Sequence, residues 1–191
     1  LQAAKGAYVA LLDHDDVLTE DALYWVVDAL QRERYDVVYS DEDRMAENGS
    51  HYLEPRFKPE FDIDLLRAYN YISHLFVARR ELMLADGGFH SQYDGAQGYD
   101  MILRCCEGNR EICHIPRVLY HKRIHDGTSS EREAKHAQEN LAGKEALEAH
   151  VSREHLLARV MMTDQRSVYT VKYDTPGNPL VSMIITGHTN R

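Results

Sequence analysis

The chain has 191 residues, 43% hydrophobic and 28% charged, the balance of one globular domain of ordinary size and not of a disordered segment. With 31 acids against 22 Lys and Arg the formal net charge is −9, and with no basic stripe either, nucleic acid is excluded as a general partner. The three cysteines, Cys105, Cys106 and Cys113, fit neither a disulfide framework nor zinc spacing, and no apolar run approaches the ~18 residues of a membrane span.

Leu1 is not a methionine, and LQAAKG reads as the end of a helix closed by Gly6, so the expectation is a piece of a longer protein. AYVALLD is a continuous apolar run, the pattern of a strand covered on both faces in a parallel sheet. TEDALYWVVDALQRE predicts a helix capped by Thr19, with Leu23, Val26, Val27 and Leu30 as its buried stripe. YDVVYSDED repeats the theme of an apolar strand ending in carboxylates. Residues 44–60 read as a loop because Gly49, Pro55 and Pro59 interrupt any period.

DIDLLRAYNYI predicts a helix, SHLFVARREL a strand running into a helix, and ADGGFHSQYDGAQG a glycine-rich loop. YDMILRCCEG has helical spacing with Met101, Ile102 and Cys105 inward, and REICHIPRVLYHKRI is β-rich with Pro116 at an edge or break. Ser130 and Glu133 match a capping box that opens a long helix, whose alanine-rich stripe is expected on the sheet. RSVYTVKYD reads as a strand, TPGNP as a turn, and LVSMIIT as another buried-type strand. Strands and helices in alternation, with acids at strand ends, are the signature of an α/β fold whose ligands bind beyond the carboxyl ends of the strands.

Three constellations carry chemistry. The DHDD run, with Asp13, Asp15 and Asp16, offers hard oxygen ligands of the kind that Mg²⁺ and Mn²⁺ take together with substrate phosphates. In GAQGYDMILR, Asp100 stands at a helix start and Arg104 one turn on along the same face. In YHKRIHDGTSS, His121 and His125 are four apart, but the segment is not helical and lacks the glutamate of a zinc protease.

In this order the pieces resemble bacterial family 2 glycosyltransferases, and most closely the O-antigen and rhamnan-type polysaccharide transferases. AAKGAYVALLDHDDVLTEDAL, DVVYSDEDR, FKPEFDIDLLRAYNYISHLFVARREL, GGF, YDGAQGYDMILR and HIPRVLYHKRIH carry the resemblance, from residue 1 to about 130. It implies a GT-A-like, Rossmann-like mixed sheet flanked by helices, incomplete at its N-terminus. It also implies an inverting, metal-dependent transfer from a nucleotide-diphosphate sugar to a glycan or lipid-linked glycan, at the cytoplasmic face of a membrane with peripheral association.

Carried over residue by residue, the resemblance makes Asp100 the catalytic base, although Tyr99 stands where an acid usually precedes it. Asp13, Asp15 and His125 become ligands of Mn²⁺ or Mg²⁺. Asp16, Arg104, His121 and the Gly87–Gly88–Phe89 loop fall to the donor; Asp41 and Asp43, with Glu42, are open to sugar hydroxyls or to a solvated loop.

A general base and a neutralised leaving diphosphate are what such a transfer needs. Residues 1–175 then form the C-terminal portion of a GT-A domain, and 176–191 a linker with the first strand of a second such module. Two other readings remain at this stage. One is a non-catalytic carbohydrate-binding or scaffolding module. The other is phosphoryl or nucleotidyl transfer, which lacks support because there is no P-loop and Val17 breaks a DxDxT pattern.

Overall fold

The computed structural model describes residues 1–124 and 129–186, with backbone alone for 129–135. Its main sheet holds β1 (Tyr8–Leu11), β2 (Val17–Leu18), β3 (Val37–Met45), β4 (Tyr52–Arg56), β5 (Phe76–Arg79) and β6 (Ile112–Arg123). The order is β1-β5-β3-β6-β2, with β4 also on β3. Among the described residues only β3 and β6 run parallel, and every other pair is antiparallel. The sheet is therefore mixed, and among the described residues β1 pairs with β5 alone, antiparallel and only half-buried, where a fully covered parallel strand was expected.

Alternation along β3 divides the core in two. Val37 and Tyr39 point to one face and Val38 to the other. Helix α1 (Ala22–Arg32) covers the Val38 face with Ala22, Val26 and Ala29, joined by Leu75, Val77 and Leu119. The buried stripe is thus shifted from the expected one: Leu23 and Val27 are exposed, Val26 is buried, and Leu30 packs against the cluster half-buried. Small alanines let the helix approach the sheet closely. Thr19 does not cap the helix; its hydroxyl donates to Asp21 at 2.8 Å, and Asp21 stands at the N-cap.

The opposite face carries α2 (Ile63–Ala68), α3 (Arg80–Leu84) and α4 (Gln97–Cys105). Asp62 caps α2 by accepting from the amides of Asp64 and Leu65 at 2.8 and 3.0 Å. Met101, Ile102 and Cys105 of α4 are inward as expected. Residues 52–56 are a strand and not loop, because β4 folds back as a hairpin on the end of β3. Pro116 lies at a break: register jumps from Ser40–Ile115 to Asp41–Val118, leaving Pro116 and Arg117 in a bulge where the missing N–H costs no ladder bond.

The long helix α5 (Ser129–Arg153) packs on α4 and on a separate hairpin, β7 (Ala158–Met162) with β8 (Tyr169–Tyr173), and not on the main sheet. The side chains of the Ser130–Glu133 capping box lie outside the described residues. Gly143 of α5 faces the Tyr169 ring, and a Cβ there would stand 3.0 Å from the ring's Cζ and closer still to its hydroxyl. Gly143→Ala gains about 1 kcal/mol of helix propensity but overpacks a rigid ring at about 1–3 kcal/mol, so a net loss of stability is expected on thermal unfolding. Residues 180–186, expected as a strand, join neither sheet, and Leu180, Val181, Met183, Ile184 and Ile185 are exposed.

Candidate active site

The acidic run after β1 turns back on itself, with the Asp16 amide donating to the Asp13 carbonyl at 3.3 Å. Arg123, at the end of β6, reaches it. The Arg123 amide donates to Asp16 Oδ1 at 2.8 Å, and its guanidinium donates to the Asp15 carbonyl at 2.7 Å. Tyr120 donates to Asp16 Oδ2 at 2.6 Å and accepts from the Asp13 amide at 3.2 Å. Two residues of β6 therefore fasten the acidic turn to the sheet, and Asp13 is left with its carboxylate open to solvent.

His74 meets that carboxylate. Its Nε2 is buried without a hydrogen-bond partner and stands 3.6 Å from Asp13 Oδ2. Burial, with help from Lys122 and Lys58, pulls its pKa down to about 3, so the ring is neutral with a lone pair available. Ligand atoms of Asp13, Asp16 and His74 all lie within 4.8 Å of one another. Two carboxylates and a neutral imidazole with an orphaned nitrogen fit a divalent ion, Mn²⁺ more readily than Mg²⁺ because of the nitrogen. The set differs from the expected Asp13, Asp15 and His125. Asp15 is outside this group, and His125 lies outside the described residues.

The loop bearing His74 is held from β3. Glu42 Oε2 accepts the His74 amide at 3.2 Å. Lys58 Nζ, buried, donates to Glu42 at 3.3 Å, to the Ile72 carbonyl at 2.7 Å, and to the His74 carbonyl. Burial lowers the Lys58 pKa to about 8 although Glu42 pushes it up. Ser73 sits at φ +37°, in the left-handed region, with its amide on Asn70 Oδ1 at 3.1 Å. Asp41 and Asp43 are buried as well: Asp41 accepts from the Lys58 amide and contacts His114 Nε2 at 2.8 Å, and Asp43 contacts His121 Nδ1 at 2.6 Å. These pairs occupy both acids, and His121 too, inside the sheet; Tyr52 stacks on His121 with ring centroids 4.0 Å apart.

Between these elements and α4 opens a cleft of about 540 Å³, lined by Asp13, Asn70, His74, Phe89, Asp94 and Gly98 among others. Gly98 and Ile102 share the cleft face of α4, and Asp100, about 200° round the helix from Gly98, points away. A side chain at Gly98 would meet nothing within 4 Å. Asp100 has 0% exposure. Arg104 donates to its Oδ2 through Nε at 3.0 Å and Nη2 at 2.8 Å, and His90 Nδ1 is 3.3 Å away. Arg104 Nη2 also donates to the Gly88 carbonyl at 2.6 Å, which ties the Gly87–Gly88 loop, both glycines at positive φ, to α4. Asp100, Arg104 and Gly88 thus form a buried strut behind the cleft wall, and Phe89 projects from that strut into the cleft.

Residues 1–85 match Glycosyl transferase family 2. The chain is 40% identical over 189 residues to uncharacterized protein y4gI of Sinorhizobium fredii, covering 97% of this chain and 21% of that one. It is 37% identical over 185 residues to the O-antigen biosynthesis protein RfbC of Myxococcus xanthus, covering 96% and 14%. It spans about a fifth or less of these relatives. Its fold resembles that of S. aureus TarS 1–349 solved with UDP-GlcNAc, at 18% identity and a TM-score of 0.51, over 74% of this chain and 43% of that one. The mixed sheet flanked by helices is the GT-A fold, as the sequence led us to expect. Residues 1–85 thus match glycosyl transferase family 2, and relatives at 37–40% identity extend along nearly all of the chain.

Proposed function

We propose that this chain is part of an inverting glycosyltransferase that moves a sugar from a nucleotide-diphosphate donor to a glycan or lipid-linked glycan acceptor in cell-surface polysaccharide assembly. The observation that carries the reading is the cleft itself, lined by Asp13 and His74, with Asp16 grouped beside them, and by Asp94. The printed names of RfbC and of the UDP-GlcNAc complex of TarS support the pathway and the donor class. A divalent ion held by Asp13, Asp16 and His74 would offset charge on the leaving diphosphate. In this reading Asp94, and not the buried Asp100, takes the proton of the acceptor hydroxyl, while Asp100 positions the start of α4. The cytoplasmic face of a membrane suits such a donor, and among the described residues no helix is long and apolar enough to cross one. The unpaired apolar segment 180–185 and the much greater length of the relatives support a second module beginning near residue 176.

Titration of the chain with Mn²⁺ in the presence of UDP tests the metal site. Saturable binding is expected, weakened about 10–100-fold by Asp13→Asn and by His74→Ala. Equal affinity in the His74→Ala protein would remove His74 from the site.

A further inference from the structure

A second groove, of about 650 Å³, runs between β4 and the 69–73 loop. Asn70 and Ser73 line both it and the cleft, so the two are neighbours that share a wall. Its walls mix aromatic and polar groups. Phe57, 76% exposed, is set between Pro55 and Pro59, whose fixed φ stiffens the segment that presents it. Tyr69, 38% exposed, is the C-cap of α2, and its amide donates to the Leu65 carbonyl at 3.1 Å. Tyr71 backs it at 6.1 Å between ring centroids and is itself fixed, since its hydroxyl accepts the Asp62 amide at 2.9 Å. Arg56 stands at the rim, more than half exposed and 3.7 Å from Glu42.

A lone exposed aromatic calls for no explanation. Two of them on stiff supports, beside an amide, a hydroxyl and a guanidinium in one groove, do. Flat apolar faces with hydrogen-bonding groups around them match a pyranose ring, which has C–H faces and a hydroxyl rim. Little ordering is lost on binding, because prolines and a helix end already hold the rings. The groove adjoins the cleft at Asn70 and Ser73, and Ser73 is next in the chain to His74, which lines the cleft where an acceptor end must arrive.

We infer that this groove is the acceptor subsite, binding the sugar rings of a glycan through Phe57 and Tyr69 and delivering its terminal hydroxyl past Asn70 and Ser73 into the cleft. The inference rests on the transferase reading but is tested apart from it. Protein carrying ¹³C-labelled Phe and Tyr is titrated separately with maltotetraose, chitotetraose, a rhamnose tetrasaccharide, and UDP-GlcNAc with Mn²⁺. At least one tetrasaccharide is expected to shift the Phe57 and Tyr69 ring signals saturably and to leave Tyr35, which lines a separate cavity, unmoved. Phe57→Ala and Tyr69→Ala should each weaken that binding about fivefold or more and leave the donor-induced shift of Phe89 unchanged. No shift with any tetrasaccharide, shifts confined to the cleft, or unchanged affinity in both variants would overturn the subsite. A missing Phe89 response to UDP-GlcNAc alongside intact tetrasaccharide binding would instead count against the donor reading and leave the subsite standing.

Discussion

Asp100→Asn is expected to lower the unfolding free energy by about 3–5 kcal/mol, a large part of the roughly 5–15 kcal/mol that holds a domain together. The carboxylate is wholly buried and takes two hydrogen bonds from Arg104, whose own Nη1 already lacks a partner. Removing the negative charge leaves a buried guanidinium that faces only neutral acceptors, the Gly88 carbonyl and the new side-chain amide oxygen. Urea unfolding of the single variant, and of Asp100→Asn with Arg104→Met, separates the pair from its parts. The double variant should recover much of the loss, because no unpaired charge is then buried. If Asp100→Asn proves as stable as the parent yet abolishes transfer, the proton-accepting role returns to Asp100.

The second large effect is expected at Asp94. Its only described hydrogen bond runs from its own amide to the Ser91 carbonyl at 3.2 Å, and its side chain is exposed at the cleft. Asp94→Asn should therefore leave stability within about 0.5 kcal/mol of the parent. If the group takes the acceptor proton, transfer should fall by about 10²–10⁴-fold at unchanged donor affinity. The readouts are kcat for transfer and for donor hydrolysis, measured in a protein that carries this module together with the rest of the donor site. Transfer that persists at the parental rate in Asp94→Asn would end its assignment as base. The two aspartates thus predict opposite phenotypes: one loses fold, the other loses turnover.

Much of the frame was legible because periodicity reports burial directly. β3, α4 and the break at Pro116 fell where the sequence put them. The α1 stripe was misjudged because size outweighed hydropathy: Ala22 and Ala29 fit against the sheet where Leu23 and Val27 would not. β4 was hidden by Pro55 and by polar neighbours, since an outer strand needs no apolar run. The acidic turn was legible as a candidate site, but its neighbour His74 was not, because nothing in NYISH marks a histidine that only the β3 contacts bring beside Asp13. Asp94 gave no signal beyond a glycine-rich loop. The run Asp41–Asp43 looked like a ligand surface; its alternating contacts with His114, Lys58 and His121 are visible only once β6 and the 58–74 segment close on it.

Those three consecutive acids have an evolutionary consequence. Between them they grip β6 and the 58–74 segment, so the path of the chain beside the cleft is written into one strand at the centre of the sheet. Natural selection can then exchange outward side chains such as Phe57 and Tyr69 without redrawing that path. On the proposed acceptor reading, a lineage could change which glycan it extends through a few replacements at the rim, each nearly neutral for folding. Replacements along the strand would lose every glycan at once.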